Sequence, residues 1–277
     1  MKCVFRNCLA IFLLFGFMLM RLVVVADPPR GLKFLENKCQ WPAAYDYGAA
    51  IPGGRFFVQP GVFTYLFFDQ HRIDEWHEKS HHADGGDGKP NEMVDGVRVE
   101  TRFIGASRNA VVVPIDQNAD YTNYFLGSDT RTWAAGARNY QALQYQALYP
   151  GVDLKIYSAD QNLEYDFVVA AGADPSNIQF VYAGVDMAEL NDAGDLEVES
   201  SWPLFIEKKP VAYQYIDGER VSVPCRYQLT NGVVSFQFPE GYDACYPLVI
   251  DPLLIFSTYS GNPGFPVISS CCFDRAT

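Results

Sequence analysis

The feature that most limits what this chain can become is a recurrent alternation of apolar and polar residues with a period of two. Val152, Leu154 and Ile156 alternate with Asp153, Lys155 and Tyr157; Leu163, Tyr165, Phe167 and Val169 alternate with Glu164, Asp166 and Val168. Val97, Val99, Thr101 and Phe103 alternate with Arg98, Glu100 and Arg102. Successive side chains of a strand point to opposite faces, so each pattern reads as a strand with one buried and one wetter face. Further strands are predicted at 55–59, 62–68, 110–115, 178–182, 195–199, 211–216, 220–229 and 233–238. Turn formers separate them: Pro52-Gly53-Gly54, Pro150-Gly151, Asp192-Ala193-Gly194, Asp217-Gly218 and Asn231-Gly232. Asp217-Gly218 and Asn231-Gly232 suit two-residue hairpins. No long stretch repeats at 3.6 residues. The expected fold is therefore all-β, a multi-stranded antiparallel sandwich-like domain. With 49% hydrophobic residues the chain can fill a core, which excludes disorder throughout.

The first 26 residues read as a signal for export. Lys2 and Arg6 give a positive start, Cys8–Met20 is an uninterrupted apolar run, and Val24-Val25-Ala26 offers a cleavage site before Asp27. Arg21 leaves no continuous span of the ~20 apolar residues a bilayer needs, so no membrane insertion is expected after cleavage. The expected location is secreted or on the cell surface. Removing Lys2, Arg6 and Arg21 from the 21 basic residues leaves 18 against 33 acidic, and the net charge moves from −12 to −15. Such acidity repels phosphate backbones and anionic lipid, so no nucleic-acid partner is expected.

Five cysteines follow the signal: Cys39, Cys225, Cys245, Cys271 and Cys272. An odd number leaves at least one without an internal partner, and no CxxC or zinc-ribbon spacing occurs. Cys225 and Cys245 flank a predicted hairpin and could pair in an oxidising compartment, or stand as two separate buried thiols.

The sharpest local motif is His77-Glu78-Lys79-Ser80-His81, an H-E-x-x-H sequence. On a helix it would place two imidazoles on one side for Zn²⁺ and a carboxylate to activate water. Its setting argues otherwise. The stretch 70–96 is polar, lacks the apolar stripe of a buried helix, and holds all four histidines. The metzincin extension needs Gly at 84 and His at 87, where Asp84 and Asp87 stand. A surface loop with one helical turn near Asp74–His77 is expected, with at most loose divalent-metal binding by His71, His77, His81 and His82.

Glu164 and Asp166 share one strand face, with Asp153 and Asp160 near in sequence, which raises the two-carboxylate arrangement of a glycosidase. In so acidic a chain chance pairs abound, and a structural role is expected. No Gly-x-Ser-x-Gly, phosphate loop or calcium loop is present. Trp41, Trp76, Trp133 and Trp202 could stack on sugars, although burial is the commoner use of such rings; Trp76, in a polar stretch, is the expected exposed one.

Several phrases in order resemble a known family. They are Glu36-Asn37-Lys38-Cys39-Gln40-Trp41, Pro52-Gly53-Gly54-Arg55, Tyr121-Thr122-Asn123-Tyr124-Phe125-Leu126-Gly127 and Leu148-Tyr149-Pro150-Gly151-Val152-Asp153-Leu154. Glu164-Tyr165-Asp166-Phe167-Val168-Val169, Gly172-Ala173-Asp174-Pro175, Pro210-Val211-Ala212-Tyr213-Gln214 and Pro247-Leu248-Val249-Ile250-Asp251-Pro252 follow. From about 34 to 260 the chain resembles the N-terminal domain of unknown function that precedes SBBP-type β-propeller repeats in large secreted bacterial proteins, many from Bacteroidetes. The resemblance implies a propeller, PKD-like modules and a gliding-motility-associated sorting domain downstream, and it supplies no catalytic residue. Cys39 stands where that pattern usually has Gly.

Phe256-Ser257-Thr258-Tyr259-Ser260-Gly261 resembles the beginning of a first repeat; 255–277 is too apolar for a comfortable free tail, and 262–277 is expected to lack a stable place in the sandwich. The expected organisation is a signal over 1–26, a β-rich domain over 27–255 and an incomplete propeller repeat over 256–277. The expected role is a non-catalytic secreted or cell-surface module, structural, adhesive or propeller-presenting, with no cofactor and with glycans or surface proteins as partners. The alternatives are a carbohydrate-binding module and a zinc hydrolase through His77, Glu78 and His81.

Overall fold

The computed structural model describes residues 31–68, 96–107, 109–125, 129–159, 162–200 and 203–256. These contain nineteen strands, two single-turn 3₁₀ segments and no α-helix. In chain order the strands are β1 (Phe34–Glu36), β2 (Tyr47–Ile51), β3 (Gly54–Gln59), β4 (Val62–Phe68), β5 (Gly96–Phe103), β6 (Val111–Tyr124), β7 (Ala134–Tyr149), β8 (Val152–Ala159) and β9 (Asn162–Val169). They continue as β10 (Gln179–Ala183), β11 (Met187–Leu190), β12 (Leu196–Glu199), β13 (Pro203–Glu207), β14 (Val211–Ile216) and β15 (Glu219–Val223). The last are β16 (Arg226–Thr230), β17 (Val233–Gln237), β18 (Leu248–Asp251) and β19 (Leu254–Phe256). All pairings are antiparallel. Fifteen strands form one sheet, and β11-β12-β13-β19 form a second.

The large sheet becomes two layers by forking at β7. One edge of β7 carries β6 from Ala134 to Gln146. The other edge carries β8 along Ala142–Tyr149 and, beyond it, β1 at Asn139–Tyr140. From this shared edge two arms diverge. One runs β8-β9-β18-β14-β15, the other β1-β2-β3-β4-β5-β10-β17-β16. At the divergence the Ser158 hydroxyl accepts from the Leu32 amide at 2.9 Å.

The alternation seen in the sequence supplies the interior of both arms. Val152, Leu154, Ile156, Leu163, Tyr165, Phe167 and Val169 are all buried. They meet rings from the opposite arm: Phe63–Tyr165 at 5.8 Å, Phe103–Phe167 at 6.0 Å and Phe167–Phe236 at 5.6 Å. Edge-to-face pairs of this kind add about 1 kcal/mol each beyond the area they bury. Tyr145 and Tyr149 span the interior and donate to the carbonyls of Gln59 (2.6 Å) and Gln179 (2.9 Å).

The small sheet packs on β4 and β10. Phe205 lies against Tyr65 at 5.2 Å and Tyr182 at 5.6 Å, and Phe256 lies against Phe67 at 6.0 Å. Phe256, the last residue of β19, is buried.

The hairpins at Asp217-Gly218 and Asn231-Gly232 form as expected, with positive φ at all four residues (53°, 88°, 52° and 78°). The single strand expected at 220–229 is instead two, β15 and β16, at opposite ends of the large sheet. Pro224 has no N–H to give a ladder, and the chain changes layers there. The Cys225–Cys245 disulfide is not formed: Cys225 is a buried free thiol beside that break and Cys245 is exposed and free. The histidine loop and its motif, and the tail after Phe256, lie outside the described residues.

Glycine at 54 is required by close approach. A Cβ there would meet the Leu66 carbonyl oxygen at 1.9 Å, against the backbone of the paired strand. A Cβ on Gly218 would meet nothing within 4 Å, although its φ of +88° strains any other residue. Gly54→Ala is expected to cost about 3 kcal/mol or more, and Gly218→Ala about 1 kcal/mol, as read by urea denaturation. Equal costs would mean that backbone contact at 54 is not what selects glycine.

Candidate functional site

Three places gather polar or aromatic chemistry. The first is the far part of the β6–β7 hairpin together with the loop after β1. Asn37 builds that loop: its Nδ2 donates to the carbonyls of Pro42 (3.0 Å) and Tyr45 (2.7 Å), while its Oδ1 accepts from the amides of Cys39 (3.1 Å) and Trp41 (3.2 Å). The Trp41 indole is thereby seated on Phe57 (5.2 Å) and Tyr124 (5.9 Å). Glu36 Oε1 accepts from the Arg138 amide at 2.8 Å, Lys38 Nζ donates to the Gly136 carbonyl at 3.1 Å, and Asn123 Oδ1 accepts from the Gly136 amide at 2.8 Å. The stretches 36–41 and 121–125, far apart in the chain, thus meet against one segment of β7.

Cys39 sits in this loop with φ of +78°. That is a left-handed conformation, in which Cβ is strained and which glycine adopts most readily.

Alternation on the hairpin sends Thr122 and Tyr124 inward and leaves Tyr121, Asn123 and Phe125 outward. Tyr121 is 65% exposed, Phe125 55% and Trp133 42%. Phe125 and Trp133 meet edge to face at 5.6 Å. Trp41 is buried, and Trp133 is the exposed tryptophan among the described residues; Trp76 and Trp202 lie outside them. The polar run Ser128-Asp129-Thr130-Arg131-Thr132 before Trp133 is the sequence signal that could have marked its exposure. The charges around the rings are paired: Arg131 makes a two-point contact with Asp129 (2.8 Å to each oxygen), and Lys33 bridges Asp120.

The second place is the outer face of the β8-β9-β18-β14 arm. Glu164 and Asp166 share that face, as the alternation predicts. Asp153 lies on it too, but it is committed to structure: its oxygens accept from Gln144 Nε2 (2.8 Å) and from the Ala147 amide (2.7 Å), where φ of +53° marks a bulge. Asp160 is outside the described residues. The register of β18 on β9, with Ile250 opposite Phe167 and Val249 opposite Val168, brings Asp251 opposite Asp166. Sequence reading missed this partner because it is contributed by a strand some eighty residues away. Partial burial first, and the Asp251 charge second, push the Asp166 carboxyl up to about 6. The Tyr157 hydroxyl donates to Asp166 Oδ1 at 3.1 Å and pulls it back down. The face is open sheet, and the depression beside it, lined by Val211, Ala212, Tyr213, Arg220 and Ser222, is shallow. Arg220 stacks on the Tyr213 ring at 3.9 Å, a cation–π contact.

The third place is sealed. Glu207, at the end of β13, is completely buried. Tyr182 Oη donates to its Oε1 at 2.6 Å and Tyr227 Oη to its Oε2 at 3.2 Å, and Tyr165 supplies a further hydroxyl. No substrate reaches it.

Among the described residues no group of three or more His, Cys, Asp or Glu could hold a metal ion. No helix among them is long and apolar enough to cross a membrane.

Two measurements follow from this geometry. Cys39→Gly is expected to raise stability by about 1 kcal/mol in urea denaturation, through relief of the left-handed strain; a loss of stability would mean that the thiol packs usefully. Carbon-detected NMR titration is expected to place Asp166 near pH 6, with Asp251→Asn lowering the value and Tyr157→Phe raising it. An unmoved midpoint in both variants would remove the cross-strand pair as its cause.

No curated protein and no solved structure matches the chain. One family model does, over residues 34–253, the whole span from β1 to the end of β18. The chain belongs to the family described as a domain of unknown function, DUF7948.

Proposed function

We propose that this domain is a non-catalytic secreted or cell-surface module that adheres through the outward face of the β6–β7 hairpin. The observation that carries the reading is the exposed set Tyr121, Phe125 and Trp133 at the end of one hairpin. Large rings left in water are unfavourable for a monomer and favourable for recognition, where they contribute apolar area at little entropic cost. The far part of the hairpin is held by Trp41, packed on Tyr124, and by the Asn37 loop, so the rings are held in place before any partner arrives.

The neighbouring charges are already paired within the domain, which suits a neutral partner with an apolar face. A pyranose ring is such a partner: its C–H face stacks on an aromatic ring while its hydroxyls take hydrogen bonds. Carbohydrate on a surface is therefore the ligand this reading favours. The signal-like first 26 residues, and the resemblance to domains that precede SBBP-type propellers in large secreted proteins, support display outside the cell, with the domain presenting whatever follows Phe256.

The test is retention on insoluble neutral polysaccharides, with cellulose, chitin and xylan as probes. Trp133→Ala and Phe125→Ala are each expected to weaken retention at least about tenfold, with melting temperatures within a few degrees of the parent because neither ring is buried. Retention that survives the double variant sinks the hairpin reading. Absence of retention on every polysaccharide, together with hairpin-dependent adherence to protein-coated surfaces, replaces the sugar with a protein partner.

A further inference from the structure

Glu207 is wholly removed from solvent, whereas the other two buried carboxylates, Glu100 and Asp195, keep 8% and 7% of their exposure. Those two have cations: Arg98 and Arg102 bridge Glu100, and Lys208 bridges Asp195. Among the described residues no Lys or Arg pairs with Glu207. Its sequence neighbours are turned away from it, Lys208 Nζ donating to Asp195 Oδ2 and the Lys209 amide to Asp195 Oδ1, both at 2.8 Å. What faces Glu207 instead is a set of phenols: Tyr165 on β9, Tyr182 on β10 and Tyr227 on β16, with Tyr65 on β4 close by. Glu207 belongs to the small sheet and all four tyrosines to the large one. It is also paired with Leu254 of β19, the last described strand.

We propose that the small sheet is fastened to the large one by a proton-dependent clasp, in which Glu207 takes up a proton as the domain folds and the fastening weakens as the pH rises. A lone carboxylate without a counter-charge is costly to bury, and hydroxyl donors offset only part of that cost. Burial raises the Glu207 carboxyl above its ordinary 4.5, and the three tyrosine hydrogen bonds pull it partway back. The folded state then binds more protons than the unfolded one above pH 4.5, so stability is greatest below that pH and falls as pH rises towards the folded value. This is the reverse of ordinary acid denaturation.

The other titratable groups stay fixed over this range. The phenols of Tyr65, Tyr165, Tyr182 and Tyr227 are all pushed well above 10 by burial and remain neutral. Beside Tyr227, the Cys225 thiol is pushed up to about 12, and hydrogen bonding from Lys208 holds Asp195 below the usual carboxylate range. Of the carboxylates there, Glu207 is the one moved above its ordinary range.

Urea denaturation of the parent and of Glu207→Gln at pH 5, 6, 7 and 8 tests the clasp. The unfolding constant of the parent relative to the variant is expected to rise with pH, by at most about tenfold per unit for one proton. Parallel pH profiles overturn the proposal. If the variant does not fold, the Asp166→Asn protein, which lacks the outer-face carboxyl that also titrates near pH 6, decides the matter by infrared difference spectroscopy. A buried protonated-carboxyl band at pH 5 that fades at higher pH, together with faster exchange of β13 and β19 amides after correction for intrinsic rates, is the expected result. Absence of that band at pH 5 overturns the proposal as well.

Discussion

A strand has two edges, and β7 uses one of them twice. With β6 along one side, β8 and β1 must share the other end to end, and two strands leaving one edge cannot stay in one surface. The sandwich follows from this arrangement. The two arms diverge, their apolar faces turn towards each other, and the alternating side chains of β8 and β9 find their counterparts on β4, β5 and β17. The hydrogen bonds that make the two layers are thus those of a single sheet. Ser158 reaching the Leu32 amide marks the point where ladder pairing gives way to a side-chain contact.

The strands with strict alternation were legible in the sequence because each has one dry face. β8, β9 and β14 are of this kind, and the two type I′ turns announced themselves through Asp-Gly and Asn-Gly. β7, the longest strand, was not legible. Positive φ at Gly136 and Ala147 interrupts its period, and its packing on both faces buries adjacent residues such as Asn139 and Tyr140. β18 is four residues, too short to carry a period of its own, and it lies between two neighbours distant in sequence. The same separation hid the Asp166–Asp251 juxtaposition. The exposed rings were missed for another reason: large aromatic residues are usually core, and Phe125 and Trp133 sit just beyond the ends of β6 and β7, where no alternation assigns them a face.

The two kinds of surface carboxyl and ring arrangement differ in what they ask of solvent. On the outer face, Asp166 keeps a route to water and a phenol neighbour, so its proton exchanges with bulk. On the hairpin, ion pairs neutralise the charges next to the rings, leaving a locally uncharged platform on a protein of net charge −12. The domain combines strong overall repulsion between copies with one patch that does not share it.

The position of β18 sets an order on the molecule's own assembly. It lies between β9 and β14, yet in the chain it comes after both. Until residue 251 is available, β9 and β14 face each other across a gap one strand wide, each with a bare row of amides and carbonyls. The layer cannot be completed by local hairpins alone. Emergence of the domain from a ribosome or a translocation pore would present two sticky edges right up to its last few strands. A chain of this topology therefore gains from rapid completion or from a chaperone that covers an open β-edge, and it is least protected just before it is finished.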